Sequence, residues 1–460
     1  MNQSFIKEAS ALVGKQYVES SPERLFSYSY DASFGLGKKR AIPGLAVSPA
    51  NTAEVSALLR LAHQYRVPVV PRGAGSNLSG GTIPVEDAMV MVLTRLNRIL
   101  EIDRKNLTIR VQPGVITGDL HRAVEAVGLF YPPDPASLSF CTIGGNLAEC
   151  AGGPRGVKYG VTRDYVLGLE AVLADGTVVH TGTRTMKGVT GYDLTRLLVG
   201  SEGTLAIITE ALLRLVPLPL DRRTVLAIYD DVGAAAETVS EIIARGVVPA
   251  CVEFLDQVFI QCIEEYAHVG LPATARAVLL IEVDGHPEAV KDESRRVEEV
   301  CREFGVRELK TAEAGEERDR LWTARRAAFA SIVRRRPNVL TEDIVVPRNH
   351  FAEMVLAAQS IAARHGLTIA VLGHAGDGNL HADFLTDEND AEELRRVEKA
   401  VAELLQETLR LGGTISGEHG VGRTKAPYLS LEIGEAALGV MKAVKAALDP
   451  QGILNPGKFI

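Results

Sequence analysis

Apolar positions along this chain follow two different periods. From Asn51 to Tyr65 the apolar residues Val55, Leu58, Leu59, Ala62 and Tyr65 recur at helical spacing, and Asn51 stands three residues ahead of Glu54, the pattern of a capped helix start. Strand-like runs follow at Val67 to Val70, at MVMVL over 89–93 and at the alternating LTIRVQP over 107–113. A helical stretch from Gly118 to Val127 comes next, then a hairpin turning at Asp175-Gly176. This mixture predicts an α+β nucleotide-binding lobe. Past residue 217 the strand-like segments TVLAIYD, ACVEFLD, AVLLIEVDG and VLTEDIVVP alternate with charged amphipathic helices over 288–304, 313–335 and 349–365, which predicts a sheet backed by helices. A final helix is expected over 433–447, and no repeat of domain-building length interrupts the pattern.

Both periods fail where glycine collects. The run VPVVPRGAGSNLSGGT over 67–82 leads a short strand into a loop with little side-chain bulk, the kind of backbone that can approach an anion closely. It is not a dinucleotide fingerprint, because Leu78 stands where the third glycine belongs, and it is not a P-loop, because Gly81 stands where the lysine belongs. What remains is a pyrophosphate cradle without a lysine.

A second glycine-rich region has metal chemistry. His374-Ala-Gly-Asp-Gly-Asn-Leu-His381 places turn-forming residues between two strand-like stretches, so a hairpin is expected, with His374 and His381 directly across from one another at the strand ends. Glu418, in Gly417-Glu418-His419-Gly420, would be the third ligand. Two imidazoles and one carboxylate suit zinc, manganese or iron(II), and three protein ligands leave positions open, as at a catalytic rather than a structural site.

A third stretch, from Pro132 through TIGGNLAECAGGPRGVKYGVTRD, is too long and too rich in small residues to be an ordinary connection. With it a family pattern is complete. PRGAGSNLSGG, TIGGNLAECAGGPRGVKYGVTRDYVLGLE, GYDLTRLLVGSEGTL, GHAGDGNLH, ISGEHGVGRTK and the closing NPGK resemble, in this order, the FAD-linked 2-hydroxyacid dehydrogenases, a group within the vanillyl-alcohol-oxidase-like flavoproteins. The resemblance runs from about residue 40 to Lys458. It implies an α+β fold with a two-lobed FAD-binding domain of the vanillyl-alcohol-oxidase type over 1–217, where Leu-Val-Pro-Leu-Pro-Leu breaks the composition. A ferredoxin-like antiparallel cap, or substrate, domain would occupy 218–419, and residues 420–460 would return to the FAD domain.

The same resemblance implies non-covalent FAD, since the cradle over 71–81 lacks the histidine or cysteine that tethers flavin in some relatives. Flavin contacts carry over onto Arg72, Gly73, Ala74, Gly75, Ser76 and Asn77 in the first loop and Pro135, Ser137, Thr142, Gly145 and Asn146 in the second, followed by Gly152, Tyr159, Glu202, Gly203, Ile207 and Asn455. Arg325 matches the family arginine that grips the substrate carboxylate, a task for which a bidentate guanidinium is well shaped. His419 is the candidate base, with an orienting role toward Glu418 as its alternative. Arg334, Arg335 and Arg336 read as a solvated helix end.

Together these imply a dehydrogenase that oxidises a small D-2-hydroxyacid, D-lactate or glycolate, to the 2-oxoacid. Thr341 stands where 2-hydroxyglutarate-specific relatives carry a lysine, which favours a monocarboxylate. A 2-hydroxyglutarate dehydrogenase and a non-redox, FAD-dependent ether-lipid synthase are the alternatives within the family, and a metallohydrolase is the alternative outside it. Composition adds limits: 46% hydrophobic and 23% charged residues are ordinary for a globular chain, and a net charge of −8 gives no sign of nucleic-acid binding. No apolar run is long enough to span a bilayer and no secretion signal opens the chain, so a cytoplasmic protein is expected, peripheral to the inner membrane only through a partner. The five cysteines are scattered without a CxxC pair, which excludes a self-contained cluster of common spacing. Electrons would therefore leave to an external acceptor such as an iron-sulfur subunit or an electron-transfer flavoprotein, with a homodimer allowed.

Overall fold

The computed structural model describes residues 1–34, 41–313 and 315–460. The chain divides into two compact units: Met1–Ala151, Val161–Leu218 and Glu418–Ile460 form one, Gly152–Gly160 and Pro219–Gly417 the other.

Among its described residues the first unit contains two larger sheets and a two-stranded one that pairs Leu129–Phe130 with Val216–Pro217. One is four-stranded, in the order Val18–Glu19, Leu45–Val47, Met89–Val92, Val69–Arg72, and its last three strands are parallel. Helix Thr52–Tyr65 is the crossover between two of them, and its start is as the sequence implied: the Asn51 side chain accepts from the Glu54 N–H, while Glu54 accepts from the Ala50 N–H. The strand expected at Val67 to Val70 sits two residues later, at Val69–Arg72, because Arg66 and Val67 still close the helix with hydrogen bonds to His63 and Ala62 carbonyls. The other sheet is antiparallel, in the order Ile99–Asp103, Thr108–Val111, Ile207–Arg214, Val166–Val172, Val178–Gly182, with the expected hairpin at Asp175-Gly176. Val55, Leu58, Leu59, Val69, Met89, Met91 and Ile207 share one buried core with Leu454 from the C-terminal segment. Val69 N–H donates to the Ile453 carbonyl and Asn455 N–H to the Val69 carbonyl, so the chain end lies along the strand that enters the first glycine loop.

The second unit is built on seven antiparallel strands, numbered here within the unit: β1 Asp221–Tyr229, β2 Cys251–Asp256, β3 Ala277–Gly285, β4 Glu308–Ala312, β5 Asn338–Val345, β6 Thr368–His374 and β7 Asn379–Thr386. Their order is β4-β1-β3-β2-β6-β7-β5. Its helices are α1 Val232–Ala244, α2 Gln257–Ala267, α3 Pro287–Glu303, α4 Glu316–Ile332, α5 Phe351–Arg364 and α6 Ala391–Arg410. The helix expected over 313–335 is therefore α4, and residue 314 lies outside the described residues. Residues directly opposite across an antiparallel pair share a face. By that rule Leu226, Leu280, Leu255 and Leu372 point to one side, where they form a core with Phe259, Ile260 and Ile263 of α2 and Ala324, Ala328 and Ile332 of α4. Thr224, Glu282, Glu253 and His374 point to the same side. One end of this face is thus polar and buried under α4. The segment over 152–160 belongs to this unit because Lys158 Nζ reaches the Asp284 carboxylate at 2.6 Å and the Tyr159 hydroxyl donates to it at 2.8 Å.

The final helix runs Leu429–Leu448 but is broken at Gly434 (φ 73°, ψ 162°). The expectation of one helix over 433–447 is corrected to a helix from Glu435 preceded by a short helical stretch over 429–433, since no helical residue can take that positive φ.

Candidate active site

The polar end of the second unit's sheet is a set of strand residues held by one helix. On α4, Arg318, Trp322 and Arg325 fall at i, i+4 and i+7 and lie in one stripe. Arg318 binds Glu282 through Nε at 2.8 Å and a terminal nitrogen at 2.6 Å, and the Trp322 indole donates to the same Glu282 oxygen at 3.2 Å. Arg325 Nε donates to Glu253 Oε2 at 2.5 Å, and Glu253 Oε1 pairs with His374 Nδ1 at 2.5 Å. Burial alone would push the Glu253 carboxyl up, but the His374 and Arg325 charges and their hydrogen bonds hold it at about 2, so it is a carboxylate.

His374 and His381 lie on one face of the β6–β7 hairpin with ring centroids 5.3 Å apart, edge to face. They are not directly opposed, as the sequence reading had them. His374 faces Asn379 and His381 faces Leu372, because a four-residue turn, Ala375 to Gly378, joins the strands. The histidines are diagonal neighbours, still within reach of one another. On the other side of β7, Asp343 of β5 faces His381, its carboxylate 3.7 Å from His381 Nε2. Asp343 also accepts from the Asn379 amide at 2.6 Å and the Gly417 N–H at 2.8 Å. Gly417 closes the unit, and the next residues, Glu418 and His419, are half-buried and open the last segment of the first unit. Farther along β7, Asp383 accepts from the Thr341 hydroxyl at 2.5 Å; burial raises its carboxyl to about 6 against the Thr341 hydrogen bond and the His381 and Arg325 charges.

The residues of the flavin reading fall in two places. In the first unit, the loop Arg72–Asn77 packs on Thr142, which caps helix Ile143–Glu149, so that Gly145 and Asn146, expected in a second loop, lie in the first turn of that helix. A Cβ on Gly73 would collide with Thr142 Oγ1, and Gly75 takes a positive φ beside the Arg72 guanidinium. Arg72 is buried and donates to the Tyr30 carbonyl at 2.8 Å. Thr142 accepts from the Gly145 N–H, and the Asn146 amide donates to Thr117 at 2.7 Å. Pro135 and Ser137 are half-buried on the loop before Cys141, whereas Ala74 is exposed at the tip of its own loop. Asn455 donates to the Gly81 and Glu202 carbonyls at 3.0 and 2.6 Å, and Gly203 is pressed against Pro71 just before buried Ile207. Gly152 and Tyr159 belong to the second unit.

Several participants had been overlooked. In the first unit, Glu149 accepts from the Asn77 amide, and Glu202 accepts from the Val421 and Gly422 N–H groups at 2.8 and 2.9 Å. Burial pushes the Glu202 carboxyl up to about 7, opposed by those N–H groups and Lys458, while burial and the Glu202 charge raise Glu149. Glu253 and Asp343 had one visible signal each, acidic residues set among the apolar positions of a strand: Glu253 with Asp256 in ACVEFLD, Asp343 beside Glu342 in VLTEDIVVP. A charge in such a position needs a partner.

Two family models match the chain: an FAD binding domain over residues 43–182 and the C-terminal domain of FAD linked oxidases over residues 218–459. The glycolate oxidase subunit GlcD of Bacillus subtilis (strain 168) is 51% identical over 97% of this chain and 94% of its own length. GlcD of Escherichia coli (strain K12) is 38% identical over 95% and 87%, and a probable mitochondrial D-lactate dehydrogenase of Danio rerio is 35% identical over 91% and 84%. Among solved structures, p-cresol methylhydroxylase superposes with a TM-score of 0.84 at 17% identity over 99% of this chain and 96% of that one. The 4-ethylphenol oxidase of Gulosibacter chungangensis gives 0.81 at 21% over 99% and 96%. The fold is thus α+β, of the vanillyl-alcohol-oxidase type. The chain belongs to the FAD-linked oxidases and is an FAD-dependent oxidoreductase.

Proposed function

We propose that this enzyme oxidises a small D-2-hydroxyacid, glycolate or D-lactate, to the 2-oxoacid and passes the electrons to an external acceptor. The observation that carries the reading is the joining of His374, His381 and Arg325 on one buried, polar end of the second unit's sheet, with Arg325 and His374 tied to the same carboxylate. The glycolate oxidase and D-lactate dehydrogenase names of the relatives support it.

FAD, when bound, accepts the hydride from the substrate carbon. The loop Arg72–Asn77 and the helix start Thr142–Asn146 fit its pyrophosphate, since glycine there keeps the backbone, with its N–H groups, close to Thr142 and the Arg72 guanidinium, where a side chain would collide. The donor set fits a divalent ion: His374 commits Nδ1 to Glu253 and so presents Nε2 as a donor, His381 lies beside it, and Glu418 completes the set in the sequence motif. Such an ion, zinc, manganese or iron, would lower the pKa of a coordinated hydroxyl. Arg325 binds the substrate carboxylate, and His419 takes the hydroxyl proton. Thr341 is engaged with Asp383, so this part of the face offers an acid rather than a cation, which disfavours a second substrate carboxylate and favours glycolate or D-lactate over 2-hydroxyglutarate.

Anaerobic reduction of the bound flavin by a panel of D- and L-2-hydroxyacids tests the reading. Bleaching by D-lactate or glycolate is expected. No bleaching by any 2-hydroxyacid would return the ether-lipid synthase reading, and preferential bleaching by D-2-hydroxyglutarate would overturn the substrate assignment alone. Turnover is expected to be slow with oxygen and faster with an artificial dye.

A further inference from the structure

We infer that Glu253 is a positioning residue shared by both substrate anchors of the second unit: one carboxylate that fixes the metal-facing nitrogen of His374 and the orientation of Arg325 together. This rests on the proposed metal role of His374. Glu253 is 1% exposed, and its two oxygens are divided between two donors, Oε1 for His374 Nδ1 and Oε2 for Arg325 Nε, each at 2.5 Å. Strand register enforces the arrangement, because Glu253 lies directly opposite His374 in the β2–β6 pair.

Each bond has a distinct consequence. In the neutral ring that a metal requires, a proton on Nδ1 of His374 defines the tautomer and leaves the lone pair on Nε2, and the hydrogen bond resists rotation of the ring. The bond to Arg325 engages Nε rather than the terminal nitrogens, so it fixes the guanidinium plane while the fork that suits a carboxylate stays at the far end of the side chain. A 2-hydroxycarboxylate held at both points has a set distance between its anchors, and that distance is governed through one side chain. Displacing Glu253 therefore perturbs both.

The neighbouring pair supplies an internal control. Arg318 and Glu282 repeat the same α4-to-sheet ion pair, but among the described residues Glu282's further side-chain partners are Trp322 and Thr224 rather than a histidine. If the Arg–Glu pairs served only to fasten α4, both would behave alike.

An amide has a single accepting oxygen, so Glu253→Gln can satisfy His374 or Arg325 but not both. In FAD-containing protein stripped of metal by a chelator, calorimetric titration with Zn²⁺ or Mn²⁺ should show Glu253→Gln weakened about 10- to 100-fold, the range seen when a partner of a ligating histidine is removed. Its KM for D-lactate or glycolate should rise more than its kcat falls. Glu282→Gln should keep metal affinity within about twofold of wild type by the same comparison. Should Glu253→Gln not fold, Arg325→Lys is read instead: without substrate it should alter metal affinity at least about threefold, although Arg325 is not a ligand. A wild-type protein that binds neither ion overturns the metal reading. Wild-type binding together with unchanged affinity in Glu253→Gln, in Arg325→Lys when that variant is read, or equal losses in Glu253→Gln and Glu282→Gln, overturns the role of Glu253 alone.

Discussion

Glu253 and His374 are separated by 121 residues in the chain and by 2.5 Å between Oε1 and Nδ1. The contact places an ionised acid behind an imidazole, and it turns an expected pair of histidines into a site with defined donor atoms.

The metal and base assignments predict different defects. His381→Ala should lose metal and weaken substrate binding, whereas His419→Ala should keep metal and FAD and slow flavin reduction by about 10²-fold or more, the usual effect of removing a general base. Stopped-flow reduction with D-lactate, together with metal analysis of both variants, decides it. A His419→Ala rate within a few-fold of wild type would remove His419 from the base role, and loss of metal in that variant would place it among the ligands.

Flavin should leave with acid. The loop over 71–81 contains no histidine or cysteine to form a flavin bond, so acid precipitation should release all of the yellow colour into the supernatant. Flavin retained in the pellet would contradict non-covalent binding.

The packing of the first flavin loop against the Thr142 helix cap predicts a local defect. Gly73→Ala must push Thr142 aside, because the new Cβ has no room beside Thr142 Oγ1. FAD content on purification should drop, while the second unit, judged by the fluorescence of Trp322 on α4, should be unaffected. Full FAD occupancy in Gly73→Ala would show that the contact yields without consequence.

Asp256 predicts a pH dependence. It caps α2 by accepting from the Phe259 N–H at 3.0 Å, and burial raises its carboxyl to about 7, opposed by the hydrogen bonds it accepts. A folded-state pKa above the unfolded value means that the native state holds the proton more tightly. Stability from this group is therefore complete below pH ~4 and is lost as pH rises toward 7, by at most about 4 kcal/mol. Asp256→Asn keeps a capping oxygen and removes the titration. Calorimetric melting from pH 5 to 8 should show wild type losing stability more steeply than the variant, and parallel curves would rule the assignment out.

Much of this protein is legible in its sequence. Ordered motifs such as PRGAGSNLSGG and GHAGDGNLH determined the family, the FAD chemistry and the candidate ligands, because each glycine or histidine in them answers a local backbone or ligand demand that sequence spacing records. The Asn51 cap and the Asp175-Gly176 hairpin were readable for the same reason: their hydrogen bonds close within a few residues. The tertiary structure alone decided the diagonal placement of His374 and His381, which depends on where a four-residue turn leaves the strand register. It alone joined Glu253 to His374 across paired strands, Glu253 to Arg325 on the covering helix α4, and Asp343 to the Gly417 N–H, partners that are far apart in the chain. The sequence shows that a charge lies among the apolar positions of a strand. Only the sheet order shows which donors surround it, since burial of that charge is made tolerable by partners that no local pattern specifies.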